Sequence, residues 1–165
     1  MGRFKSSYPE HQVIEDWVCL HPSGAETVTG QSGVATYQEI PQNINAVMAC
    51  LDLTNAGSLV GDTLDVFIQT AFPAQRFAGS GNYHWIDVVH FTQLLGTQAA
   101  DVLEFAKIAV ALDQAHFETV SGAALAAGAK RNVIGQYWRS RWVIADGGGT
   151  HAFTFEVMLY PMAGR

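Results

Sequence analysis

The 165-residue chain holds two cysteines, five prolines and nine basic residues, against fifteen acidic ones. Each shortage removes a class of function. Cys19 and Cys50 make no CxxC or metal-finger spacing, so the pattern signals neither a disulfide framework nor a zinc module. Cys50 lies in the strand-like run Val47-Met48-Ala49-Cys50-Leu51 and reads as a buried free thiol. That usage fits a reducing cytoplasm. A net charge of −6 without a basic stripe argues against contact with phosphate backbones or anionic lipid. Neither nucleic acid nor a membrane is expected as a partner. No apolar run approaches the roughly 18 residues of a bilayer span. After Arg3 and Lys5 the first twenty residues carry Glu10, Glu15 and Asp16 rather than an apolar stretch, unlike a signal peptide.

What is present is a period of two. The hydrophobic share, 48%, is that of a folded domain, and the length suits one. Residues 1–20 show no sustained period and read as an extended N-terminal arm; residues 21–165 form the domain. Strands are expected at 26–29, 34–40, 46–53, 63–70, 85–94, 102–108, 137–145 and 151–160, separated by Gly- and Asn-rich turns. Three of them fix the registers. Leu64, Val66 and Ile68 alternate with Asp65 and Gln69, and Phe153, Phe155, Val157 and Leu159 alternate with Thr154, Glu156 and Met158. Trp138, Trp142 and Ile144 share a face opposite Arg139 and Arg141, whose burial in the core would be prohibitive. About eight short strands predict an all-β fold, a two-sheet antiparallel sandwich of jelly-roll type. The alanine-rich stretches 106–115 and 123–129 are compatible with a short helix, but Gly122 and Gly128 limit it and loop is the preferred reading.

Chemistry-bearing clusters are scarce. His84, Asp87 and His90 stand at i, i+3 and i+6, a spacing that a regular strand cannot turn to one side without a bulge. Asp146-Gly147-Gly148-Gly149 joins two strands and reads as a hairpin turn rather than a phosphate cradle, which needs a following helix. No GxSxG elbow is present, and Asp65 and Asp87 read as solvated acids on outer faces. The expectation is therefore a protein with no catalytic residue, no metal and no cofactor. Tyr37, Phe67, Tyr83, Tyr137 and Tyr160 fall on the outer faces, where aromatic side chains are either covered or kept for a partner.

The segments Leu51-Asp52-Leu53-Thr54, Asp62 to Thr70, Trp85-Ile86-Asp87-Val88-Val89-His90-Phe91-Thr92-Gln93, Arg139-Ser140-Arg141-Trp142-Val143-Ile144 and Phe153-Thr154-Phe155-Glu156-Val157 follow one another in a distinctive order. Together they resemble the small β-sandwich structural proteins of tailed bacteriophages, capsid decoration (cement) or minor head proteins, over roughly residues 45–160. The stretch 71–84 is longer than that family's turn. The resemblance implies a virion protein made in the host cytoplasm and placed on the capsid surface. Its partner would be the major capsid protein, and it would act as a homo-oligomer, with a trimer suited to capsomer junctions. The arm carries Phe4, Tyr8, Val13, Ile14 and Trp17, an apolar set expected to cross onto a neighbouring subunit with Trp17 as its anchor. The rival expectation is a carbohydrate- or receptor-binding sandwich of a fibre, whose sign is a platform of open aromatic rings; a head-completion or tail component is a third.

Overall fold

The computed structural model describes residues 17–31, 38–39, 44–57, 60–72, 84–98, 101–109, 124–145 and 152–163. All regular structure among them is β: β1 Val18–Glu26, β2 Gly30–Gln31, β3 Gln38–Glu39, β4 Ile44–Asn55, β5 Thr63–Phe72, β6 His84–His90, β7 Leu94–Leu95, β8 Val102–Ala109, β9 Tyr137–Ala145 and β10 Phe153–Ala163. One sheet runs β1-β10-β4-β8. The other runs β2-β9-β5-β6, with β3 also on β9 and β7 also on β5. Every pairing between these strands is antiparallel. Taking β2 with β3 and β6 with β7 leaves eight strand positions. Counted so, apart from β5 to β7, which follow one another in one sheet, the chain crosses between the two sheets at each step, as in a jelly roll, so the predicted sandwich is the observed one.

Alternation builds the core as the sequence requires. Leu64, Val66 and Ile68 on β5, Trp138 and Trp142 on β9, and Phe153, Phe155 and Val157 on β10 are at most 5% exposed. Both buried indole N–H groups find an acceptor: Trp138 Nε1 donates to the Gly135 carbonyl at 2.9 Å and Trp142 Nε1 to that of Val28 at 3.0 Å. Such pairing removes the desolvation penalty of burying an indole N–H. The turn leaving β4 needs its glycine. Gly57 has φ +75°, its N–H donates to Asn55 Oδ1, and a Cβ there would stand 3.1 Å from the Ala152 carbonyl oxygen.

Several expectations are corrected. Of the strand expected at 26–29 only Glu26 is in a strand, as the last residue of β1, which starts at Val18 and places Leu20 in the core; residues 27–29 separate β1 from β2. Residues 18–20 thus belong to the sandwich and not to the arm. Register shifts between Cys19 and His21 and between His21 and Gly24 break the alternation there, which hid the strand from a period-two reading. Ala106 to Ala109 lie in β8, and 124–129 contain no helix, only a turn at Ala127-Gly128. The remainder of the alanine-rich region lies outside the described residues, as do most of 34–40 and the loop 146–150.

Candidate functional site

The outer face of the four-stranded sheet has an unusual composition. Register places Cys19, Met158, Cys50 and Phe105 in one row across β1, β10, β4 and β8. The next row holds Tyr160, Met48 and Lys107, with Trp17 at the head of β1 beside Tyr160. The row on the other side holds Glu156, Asp52 and Leu103. A sheet face turned to water normally alternates to polar residues. Here two of the three rows are mainly aromatic and sulfur-bearing.

The two edges of this sheet lean inward over the face. The Trp17 ring lies 5.5 Å from Tyr160 and 6.4 Å from Phe105, which springs from the opposite edge strand. Cys50, in the middle row, is only 2% exposed. Trp17, Leu103 and Phe105 keep 42%, 55% and 53% of their surface in contact with water. Four strands about 4.8 Å apart and three rows about 6.8 Å apart give this face an area of about 400 Å². The two apolar rows make up about 260 Å² of that footprint, and apolar patches approaching this size are often functional. Methionines widen what it accepts, because their unbranched side chains repack around differently shaped partners.

The thiols on this face are poor nucleophiles. Burial, reinforced by the Asp52 and Glu156 charges, pushes the Cys50 thiol up to about 11. Burial and then the Glu156 charge raise Cys19 too. Both stay protonated at neutral pH, and two strand spacings, about 10 Å, separate them, too far for a disulfide.

The outer face of the second sheet differs. A register shift between Ile68 and Gln69 gives β6 one extra residue, so Asp87 faces Gln69 and His90 faces Phe67. The bulge thereby turns Asp87 and His90 to the same side, which a regular strand would not do. Both are already engaged. Asp87 Oδ1 accepts from Gln69 Nε2 at 2.7 Å, Gln69 Oε1 accepts from Arg139 Nε at 2.7 Å, and Arg141 stands 3.8 Å from Asp87 Oδ2. His90 Nε2 lies 2.9 Å from Asp65 Oδ1, and its Nδ1 lies 2.7 Å from the Leu125 carbonyl oxygen. His84 pairs with Phe72 and its side chain is outside the described residues; among those residues no three ligand groups converge on a metal position.

This face was expected to be wet, and it is largely closed. Phe67 is 4% exposed, stacked on His90 at 4.0 Å and capped by Arg141 at 4.2 Å; Arg139 is 9% exposed over the Trp85 ring at 4.2 Å. Burial, then the neighbouring Arg141 charge, lowers the Arg139 guanidinium against the opposing pull of Asp87. Planar guanidinium groups can lie on rings while donating sideways, which is how polar residues fill a dry layer here.

Of the expected partner-binding residues, Phe4, Tyr8, Val13 and Ile14 lie outside the described residues. Trp17 rests on its own sheet, against Tyr160 and Phe105. Tyr37 and Tyr83 are likewise outside; Tyr137 and Tyr160 are half-buried. Sequence reading missed Met48, Cys50, Leu103 and Phe105 as members of a surface. No family model, no curated protein and no solved structure matches this chain.

Proposed function

We propose that this chain is a structural protein of a bacteriophage particle that binds the outer capsid surface and stabilises the shell as a decoration protein, with no catalytic step. One observation carries the reading: the outer face of the four-stranded sheet presents Trp17, Met48, Phe105, Met158 and Tyr160 side by side across all four strands. Jelly rolls recur in viral shells, in lectins and elsewhere, so the fold narrows the field without choosing within it. The choice comes from the order of strand motifs between residues 45 and 160 that resembles phage head proteins.

Size supports a contact repeated many times. A face of about 400 Å² is half of the ~800 Å² that each partner buries in a typical stable complex. One such contact is weak, but copies linked through a shell or through one another act at high effective concentration. The major capsid protein is the proposed partner. A sugar-binding fibre module would use open aromatic rings as its platform; on the β2-β9-β5-β6 sheet Arg139 caps Trp85 and Arg141 caps Phe67, so the rings open to such a ligand are those of the four-stranded sheet's face, Trp17 and Phe105.

The experiment mixes purified protein with undecorated shells of its phage and counts bound copies per shell. Saturable occupancy that falls at least about tenfold in affinity on Phe105→Lys supports the reading, since burying one such ring is worth roughly 1.5–3 kcal/mol. No binding by the unaltered protein, or equal binding by a folded Phe105→Lys chain, refutes it.

A further inference from the structure

We infer that His90 is a proton-operated clasp: with both ring nitrogens protonated it holds residues 124–127 against the second sheet, and loss of one proton releases them. The inference is independent of the capsid reading and concerns the other side of the sandwich. It starts from the two atoms that the imidazole meets. Nδ1 lies 2.7 Å from the Leu125 carbonyl oxygen, and Nε2 lies 2.9 Å from Asp65 Oδ1. A carbonyl oxygen and a carboxylate accept, whereas a neutral imidazole offers a single N–H. Both contacts are therefore hydrogen bonds only when the ring carries two protons. With one proton, a nitrogen lone pair faces an oxygen at one of the two places. His90 is 8% exposed and its ring is stacked on Phe67 at 4.0 Å, so water does not readily replace a lost partner.

The surroundings decide which contact fails. From β5, Asp65 is bonded to the ring, and its other oxygen accepts from Gln93 Nε2 at 2.8 Å. From β9, Arg141 lies behind Phe67, 4.2 Å from that ring. On β6 itself, Asp87 is taken up by Gln69 and Arg141, and its carbonyl by Arg131. Glu104 and Lys107 of β8 and Lys130 line one open cavity with His90; Thr92 holds Glu104, and Lys130 donates to the Lys107 carbonyl. A ring with one proton keeps it on Nε2, because a charged acceptor makes the stronger bond. Nδ1 then turns its lone pair on the Leu125 carbonyl, and that contact becomes repulsive. Residues 128–131 do not depend on it. Gly128 N–H donates to the Phe91 carbonyl, His90 N–H to that of Ala129, and Arg131 N–H to that of Val88. Residues 124–127 lack such a ladder: among the described residues, the hydrogen bond that joins them to the sheet is the one at the Leu125 carbonyl. The clasp is thus complete at low pH and lost as the pH rises, the opposite sense to a histidine that folding keeps neutral.

Nitrogen NMR of the full-length chain tests this between pH 5.5 and 8.5, by following the His90 ring and the backbone order of residues 124–127 together. At pH 5.5 both ring nitrogens are protonated and the segment is ordered. As the ring passes to the form protonated on Nε2 alone, order parameters of residues 124–127 fall from about 0.8 to below about 0.6, while those of β10 stay unchanged. Asp65→Asn separates the clasp from a merely structural contact. Its side-chain amide can donate to Nε2, so a neutral ring with its proton on Nδ1 satisfies both neighbours, and residues 124–127 stay ordered at pH 8.5. An Nδ1 without a proton at pH 5.5 overturns the inference, as does a ring that keeps both protons throughout the range. So does a segment whose order is unchanged when the ring loses its proton, or an Asp65→Asn chain that loosens with pH as the unaltered one does. If Asp65→Asn does not fold, the unaltered protein decides: ring and segment change at one pH, or the clasp is refuted.

Discussion

Phe155→Ala is the sharpest test of how this sandwich is held together. Phe155 sits on β10 with none of its surface exposed, its ring 4.7 Å from His21 on β1 and 5.7 Å from Trp142 on β9. It therefore links an edge strand of one sheet to a central strand of the other. Removing it takes away a large buried apolar surface and leaves a cavity, because backbones on both sides are fixed by ladders: β10 pairs with β1 and β4, and β9 with β5. Aromatic-to-alanine changes at such sites cost about 3–5 kcal/mol. For a domain whose total stability is about 5–15 kcal/mol, that is a large share. A chain of this length shifts by about 2–4 °C per kcal/mol, so the melting temperature should drop by about 6–20 °C. The assay is urea unfolding of both proteins, followed by fluorescence. The midpoint should fall while the slope stays unchanged, which reports lost stability rather than an altered unfolded state. A loss below about 1 kcal/mol would mean that the two sheets do not close over this ring, and the packing described for the core would be wrong.

Three further outcomes can be measured in the same preparations. Burial holds the His21 imidazole below its ordinary value, between Trp142 and Phe155. The unfolded chain therefore binds that proton more tightly; this share of stability is complete above about pH 6.5 and is lost as the pH falls below it. His21→Phe should flatten the dependence of the urea midpoint on pH between 7.5 and 5, and an identical slope in both proteins would refute the assignment. Gly135→Ala should destabilise by about 1–3 kcal/mol, because its Cβ would fall 2.6 Å from the Ala71 carbonyl oxygen and 2.5 Å from Thr70 Oγ1; a neutral effect in denaturant titrations would contradict that contact. A thiol reagent should modify Cys19 alone in the folded protein and Cys50 only after unfolding, given the 2% exposure of Cys50 and its thiol at about 11; two fast thiols in the native state would refute the covered face.

Much of the fold was legible because the central strands obey alternation strictly. β5, β9 and β10 each keep aromatic or branched residues on the core side and place Asp65, Gln69, Arg139, Arg141 and Glu156 on the other, beside Phe67, Met158 and Tyr160, and the structure keeps those registers. What alternation could not show was a strand interrupted by Pro22 and Gly24, since β1 shifts register twice within nine residues. Nor could it show that an outward residue would be dry. Gln69, Arg139 and Phe67 were correctly turned away from the core, yet they are at most 9% exposed, because guanidinium planes lie on rings there. Facing depends on local sequence. Dryness depends on which strands the sheet brings alongside.

The same distinction decides how far the interaction face could be foreseen. Trp17, Met158 and Tyr160 are on it and were individually legible, two of them as outward residues and one as an anchor. Met48 and Cys50 were hidden inside Val47-Met48-Ala49-Cys50-Leu51, where both sides of the strand are apolar and the period carries no information about direction. Only the core membership of Val47, Ala49 and Leu51 tells which side Met48 and Cys50 take. Phe105 and Leu103 were hidden for another reason: a strand at a sheet edge may point apolar residues to either side without penalty until its neighbour is known. Pairing with β4 sets Phe105 beside Cys50 and Leu103 beside Asp52, and four scattered residues become one surface. An interface of this kind is a property of register between four segments spread over 140 residues of sequence. That is why its charges, and not its apolar residues, give the most direct experimental handle: Asp52 and Glu156 meet only when β4 and β10 pair as described, so relieving their like-charge opposition reports that pairing.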